Sequence, residues 1–257
     1  YYEWMPIRIP DENNLNRIFR KMSYGNLADI YMLDTRLYDR DQQGGDFDDP
    51  ERTLIGPEQM AWLQNEMLNS TAQWQIIGQQ VVMAPLVIPH YPTEEILLTI
   101  NEDQWDGYTA ERKRLYDFVL DNEIDNMVVL TGDIHTSWAN DLPYNIFEYE
   151  PGTGEGSVGV EFVSTSVTST SSPIPLPPVY DVIRDALPYI KYVDLSRKGY
   201  TLLDITPERT QADFYTVATI QSPDSREFFQ QAWYAEDGVP HLERADTASM
   251  DDRPIEP

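Results

Sequence analysis

Two side chains with metal-binding chemistry stand two positions apart in Gly132-Asp133-Ile134-His135. Asp133 offers a hard oxygen and His135 an imidazole nitrogen. That mixture suits iron, zinc or manganese, with oxygen-rich neighbours able to take calcium. In an extended segment, residues i and i+2 point to the same side. Met127 to Leu130, just before, reads as a short buried strand, and ligands of open α/β sheets bind outside the carboxyl ends of strands. Gly132 permits a sharp turn or a close approach to a ligand. Of the three histidines, His90, His135 and His241, only His135 lies in a turn motif directly after a buried strand. An ordinary turn, whose Asp caps a helix and whose His is simply polar, makes the same pattern. Spacing alone favours that turn.

A second group follows another strand: Asp34-Thr35-Arg36-Leu37-Tyr38. An Arg in that place can fork onto phosphate oxygens and stabilise charge during group transfer. It can equally pair with Asp34 or Asp39 at the surface. Asn101 to Tyr108 is a polar-aromatic loop that could wall a site, though such loops more often pack their Trp and cap a helix. Asn140, just past His135, is a candidate oxygen ligand. Gly152, Gly154 and Gly156 alternate without a following Lys-Ser/Thr, so a phosphate loop is not indicated. Asp46 to Glu51 lacks EF-hand spacing and reads as a solvated loop. No serine sits in G-x-S-x-G, which leaves a serine hydrolase without support.

These groups need a scaffold, and the apolar pattern supplies one. Ala28 to Leu33, Trp74 to Ala84, Met127 to Leu130 and Val158 to Val163 read as buried strands. Helices are expected from Pro57 to about Asn69, with Met60, Leu63, Met67 and Leu68 as core stripe, and from Thr109 as cap to about Glu123. Asn16 to Met22 and residues 179–187 are shorter helical candidates. Residues 41–53, 89–108 and 164–178 read as loops. Strand and helix alternate up to residue 155, the mark of an α/β layer structure. Tyr192 to Ile220 then alternates like antiparallel strands, turning at Pro207-Glu208. Asp246 to Pro257 reads as a mobile acidic tail.

Composition narrows the partners. The 257 residues carry 44 Asp plus Glu against 18 Lys plus Arg, a net charge of −26. Such a chain repels nucleic acid, whose binding rests on cations neutralising phosphates. No stretch approaches the roughly 18 apolar residues of a membrane span, so stable membrane insertion is not expected. With no cysteine, disulfides and thiolate metal sites are excluded in this chain.

Taken in order, the segments resemble the PhoD family of alkaline phosphatases and phosphodiesterases. The matching pieces include Tyr1-Tyr2-Glu3-Trp4-Met5-Pro6-Ile7-Arg8, Tyr24-Gly25-Asn26-Leu27-Ala28-Asp29 and Leu33-Asp34-Thr35-Arg36. They continue with Gly78-Gln79-Gln80-Val81, Asp103-Gln104-Trp105-Asp106-Gly107-Tyr108 and Leu130-Thr131-Gly132-Asp133-Ile134-His135. Trp138-Ala139-Asn140, Val160-Glu161-Phe162-Val163, Lys198-Gly199-Tyr200 and Gln211-Ala212-Asp213-Phe214 complete the set. The resemblance implies a metallophosphatase-like α/β sandwich that binds Ca²⁺ and Fe³⁺. It implies hydrolysis of phosphate monoesters and diesters, in the periplasm or outside the cell after twin-arginine export. Asp133 and His135 are then metal-site residues and Arg36 a phosphate-facing one, with Asn140 and Tyr38 as further carry-overs. The implied mechanism is in-line attack on phosphorus by a metal-activated hydroxide.

The family's Trp-Asp-Asp-His-Glu stretch precedes the Tyr-Tyr-Glu-Trp segment and does not occur in these residues. Pro188-Tyr189-Ile190 also departs from the family, which more often shows a His there. Residues 1–245 are therefore expected to be the C-terminal part of an incomplete catalytic domain, with its N-terminal part as a partner and 246–257 as tail. The other reading is a non-catalytic module that keeps the fold without the chemistry.

Overall fold

The computed structural model describes residues 2–5, 7–9, 11–170, 177–224 and 226–249. Parallel strands form from the apolar, β-branched runs: β2 (Ala28–Met32), β3 (Trp74–Gly78), β6 (Met127–Thr131) and β8 (Ser157–Val163). The helix α1 (Pro57–Leu68) joins β2 to β3, and α2 (Thr109–Asp121) joins β3 to β6. Three antiparallel strands complete this sheet: β1 (Arg20–Tyr24), β7 (Ser137–Pro143) and β9 (Ile190–Asp194), the last preceded by α3 (Pro177–Ala186). The order is β1-β2-β3-β6-β8-β7-β9. A second, antiparallel sheet runs β10 (Gly199–Ile205), β11 (Arg209–Val217), β12 (Glu227–Glu236) and β13 (Glu243–Ala245). A hairpin of β4 (Val87–His90) and β5 (Glu95–Thr99) stands apart from both.

Alternation along the strands sorts side chains into two cores. Tyr31, Ile77, Val129 and Val163 face the helices, meeting Met60, Leu63 and Met67 of α1 and Leu115 and Val119 of α2. Trp74, Ile76, Val128, Val160 and Phe162 face the second sheet, meeting Ala212, Phe214 and Ala235. The fold is thus mixed α/β, with helices on one side of the large sheet and a smaller sheet on the other. Trp74 fastens the sheets together by donating its Nε1 hydrogen to the Thr206 carbonyl at 2.8 Å. Among the described residues, no helix is long and apolar enough to cross a membrane.

Several local expectations are corrected. The helix expected over Asn16 to Met22 is replaced by β1, because pairing with β2 satisfies its backbone while Lys21 reaches Asp29 and Glu66. The strand expected to run to Ala84 ends at Gly78; Gln79 and residues 81–84 stay buried without strand pairing, and the N–H groups of Met83 and Ala84 bond to the Glu161 carboxylate instead. The 89–108 loop contains β5 and a 3-10 turn (Trp105–Gly107). Tyr108, not Thr109, is the N-cap of α2, and the Thr109 hydroxyl goes to Phe47 and Asp48. Leu68 is exposed, unlike the rest of its stripe. Residues 137–140 belong to β7, and β12 and β13 were not anticipated. Of the segment read as a mobile tail, residues 246–249 are docked, with Ser249 bonded through N and Oγ to Asp213; residues 250–257 lie outside the described residues.

The helix-side core also sets a pH limit. Tyr31 is wholly buried in β2, its hydroxyl donating to Gln75 of β3. Burial pushes the phenol up to about 12, aided by the nearby carboxylates Asp29 and Glu66 against Ser70 and Lys21. An unfolded tyrosine ionises near pH ~10. The contribution of neutral Tyr31 is therefore complete below about pH 10 and lost as pH rises towards about 12. Chemical denaturation across that window is expected to show a shallower loss of stability in Tyr31→Phe than in the wild type. Equal slopes would defeat the assignment.

Candidate active site

The carboxyl ends of β2, β3, β6 and β8 share one edge of the large sheet, and Arg36, Tyr38, Asp133 and His135 follow β2 and β6 there. At the end of β2, Asp34 is buried and does not pair with Arg36 through charge. Its Oδ1 accepts the backbone N–H groups of Arg36 (2.9 Å) and Leu37 (3.0 Å), forming a tight turn. Gln59 of α1 accepts from the Asp34 N–H and donates to its carbonyl. Gln80, after β3, accepts from both the N–H and the hydroxyl of Thr35 at 2.7 Å and donates to Leu33 O. These bonds fix the base of Arg36.

The Arg36 guanidinium donates through Nη1 to Asp103 Oδ2 at 2.7 Å, not to Asp34 or Asp39 as a surface pairing required. Its pKa is raised, chiefly by that bond, and further by the charges of Asp103 and Asp133. Arg36 thus lies within electrostatic reach of Asp133, 97 positions on in sequence and two strands away in the sheet. Tyr38 donates its hydroxyl to Glu58 at 2.7 Å and packs edge-on against Phe19 at 5.0 Å. Arg36 and Tyr38, with Asn14, Asn16, Leu37 and Gln80, border a cleft of about 1020 Å³.

After β6 the chain does not continue extended, so the same-side argument for Asp133 and His135 does not apply. Both residues adopt left-handed backbone, with φ of 62° and 61°. Asp and His tolerate this region better than most, yet such strain persists only where surroundings enforce it. Here they do. Gly132 N–H bonds to Gln80 O, and Ile134 N–H to Gly132 O at 2.7 Å. The His135 carbonyl accepts from Thr165 Oγ1 (3.0 Å) and Lys198 Nζ (3.4 Å). His135 Nδ1 lies 3.1 Å from the Thr170 carbonyl. A carbonyl only accepts, so Nδ1 carries the proton and the neutral ring keeps its lone pair on Nε2. A backbone carbonyl behind the second nitrogen is the usual support of a metal-ligating histidine.

Asp133 is exposed and His135 partly so, and their donor types fit a metal as two ligands. They do not make a whole site: among the described residues, no group of three or more His, Asp or Glu could hold an ion. Asn140 stands elsewhere. It is fully buried in β7, opposite Glu161 of β8, and donates Nδ2 to Glu161 Oε2 at 3.1 Å. Among the described residues its Oδ1 has no hydrogen-bond partner.

Two groups were missed by sequence reasoning. Asp103, in the polar-aromatic loop, is the anchor of Arg36. Glu161 is a fully buried carboxylate that takes four donors: Met83 N and Thr131 Oγ1 on Oε1, Ala84 N and Asn140 Nδ2 on Oε2. Thr131 also accepts from Gln79, which accepts from Trp105 Nε1 at 2.7 Å. This network ties the 101–108 loop to the residue just before Gly132. A charged residue within the apolar run Val158 to Val163 was the available signal. The partner of Arg36 left none, since 67 positions separate it from Asp103.

The model of PhoD-like phosphatases matches residues 1–214. The chain is 36% identical over 234 residues to alkaline phosphatase D of Bacillus subtilis (strain 168), a match covering 87% of this chain and 38% of that protein. A solved structure described as that of PhoD superposes with a TM-score of 0.83 at 32% identity, covering 97% of this chain and 48% of the other. The chain thus spans less than half the length of these relatives.

Proposed function

Since the chain belongs to the PhoD-like phosphatase family, we propose that it forms part of a metal-dependent hydrolase of phosphate monoesters and diesters, in which Asp133 and His135 bind metal and Arg36 binds the phosphoryl group. The observation that carries this reading is that Arg36, after β2, and Asp133, after β6, both stand at the carboxyl edge of the sheet, the latter beside a histidine whose Nδ1 is tied to a carbonyl. A cation held there would supply charge stabilisation and lower the pKa of a water nucleophile. The resemblance supports Ca²⁺ and Fe³⁺ as the ions, and a hard carboxylate beside an imidazole is compatible with both. Asp133 and His135 are positioned by their left-handed turn, which Gln80, Thr165 and Lys198 hold through hydrogen bonds. Arg36 neutralises charge on the phosphoryl oxygens through a planar guanidinium whose base cannot shift. Tyr38 and the adjoining cleft face the organic group of the ester.

The two ligands require others, which on this reading come from further polypeptide that completes the sandwich. Work in the periplasm or outside the cell is proposed on the family resemblance alone. The 257-residue chain given Ca²⁺ and Fe³⁺ is expected to leave a nitrophenyl phosphate ester intact. Expressed with the polypeptide encoded upstream of it, the chain is expected to hydrolyse that ester and to lose the activity in Asp133→Asn. Turnover by the chain alone that disappears in Asp133→Asn would overturn the need for further ligands. Inactivity of both preparations would favour a non-catalytic module.

A further inference from the structure

Asp103 stands on the loop between β5 and the 3-10 turn, in a segment for which the proposed function has no use. Its carboxylate is shared among three donors: Arg36 Nη1 on Oδ2, and Arg40 Nη2 and Gln43 Nε2 on Oδ1. Burial raises the Asp103 pKa, but the bonds from Arg36, Gln43 and Arg40 outweigh it and hold the group below the ordinary carboxylate range. Asp103 is thus an anion at neutral pH in a molecule that already carries a net charge of −26. We propose that Asp103 is a positioning residue for Arg36: it clamps one corner of the guanidinium and leaves the other edge to a phosphoryl group. This rests on the reading that Arg36 faces phosphate.

The clamp is held more firmly than the residue it aims. Arg40 is nearly buried and bonds at once to Thr35 O (2.9 Å), Asp103 O (3.1 Å) and Tyr108 OH (3.2 Å). It therefore ties the Asp103 loop to the very turn that bears Arg36. Asn101 Oδ1 accepts from the Asp103 N–H at 3.0 Å, and Trp105 anchors the loop to Gln79. At Gly107 a Cβ would stand 2.0 Å from the Glu102 carbonyl, so the loop keeps this shape only with glycine there. Arg36 is different: its side chain is 40% exposed, and among the described residues only Nη1 has a hydrogen-bond partner. Nε and Nη2 form the free edge, the fork that matches two oxygens of a phosphoryl group. Without Asp103 the long side chain would sample several rotamers, and misplacement of about 1 Å can cost about 10²-fold in rate.

Steady-state kinetics on the hydrolysing form of the protein test this with Asp103→Asn, Arg36→Ala, their double variant and Arg40→Met. Asp103→Asn is expected to lower kcat about 10- to 10²-fold with a smaller change in KM. In the Arg36→Ala background it should cost no more than about twofold, because the group it positions is gone. Arg40→Met should lower the melting temperature while retaining a higher kcat than Asp103→Asn. Multiplicative losses in the double variant would overturn the proposal, as would equal kcat losses in Arg40→Met and Asp103→Asn. Arginine side-chain NMR of the 257-residue chain reads the clamp independently of turnover. The Arg36 Nε–H should become mobile on the ps–ns scale in Asp103→Asn. Equal mobility in wild type and variant would overturn the clamp, whereas absent turnover with an intact clamp would count against the phosphatase reading.

Discussion

Arg36→Ala is expected to reduce kcat/KM on a phosphate ester by about 10²- to 10³-fold, the usual cost of removing a donor aimed at developing charge. The effect should exceed that of Asp103→Asn, because it removes the group itself rather than its aim. Arg36→Lys should recover little. A lysine ammonium is a point charge that cannot hold Asp103 through one corner and two phosphoryl oxygens through an edge. The fold should not suffer: the turn around Arg36 is held by Asp34, Gln59 and Gln80, none of which bonds to the guanidinium. A melting temperature near that of the wild type, with the loss confined to turnover, is the expected pair of measurements. Activity within a few-fold of wild type in Arg36→Ala would remove Arg36 from the phosphate site.

The largest effect on stability is expected at Glu161. Each of its oxygens takes one backbone N–H, from Met83 at 2.8 Å on one side and Ala84 at 2.9 Å on the other. In Glu161→Gln, either orientation of the amide sets its NH₂ against one of those N–H groups. Thr131 could rotate its hydroxyl and Asn140 could flip, but a backbone N–H cannot become an acceptor. The buried donor is stranded, at a cost of about 3 kcal/mol. Denaturant unfolding of Glu161→Gln is expected to show this loss, and Glu161→Ala a larger one, since it strands all four donors and leaves a cavity. The damage should reach the candidate site, because Thr131 immediately precedes Gly132. A loss below about 1 kcal/mol in Glu161→Gln would mean that the network relaxes freely.

Much of the scaffold was legible. The apolar runs of β2, β3, β6 and β8 and the stripes of α1 and α2 mark the central layers, because burial imposes its period directly on neighbouring residues. The carboxyl edge of the strands was legible as well, and with it the positions of Arg36 and of Asp133 and His135. Errors fell where a distant partner decided. Arg20 to Met22 joined a strand because β2 lay beside them, and Met83 and Ala84 left the strand pattern with their N–H groups on Glu161, far off in sequence. Asn140 follows His135 closely in sequence, yet strand β7 carries it into the sheet against Glu161.

By itself, then, the sequence determined which side-chain types follow which strand ends. Tertiary structure decided which of them meet. It gave Arg36 to Asp103, gave Asn140 to the core, and bent Asp133 and His135 into left-handed backbone. Side-chain type and hydrophobic period are properties of a few consecutive residues. The partner of a charge depends on strand order, and strand order is set by cores built from residues scattered over the whole chain.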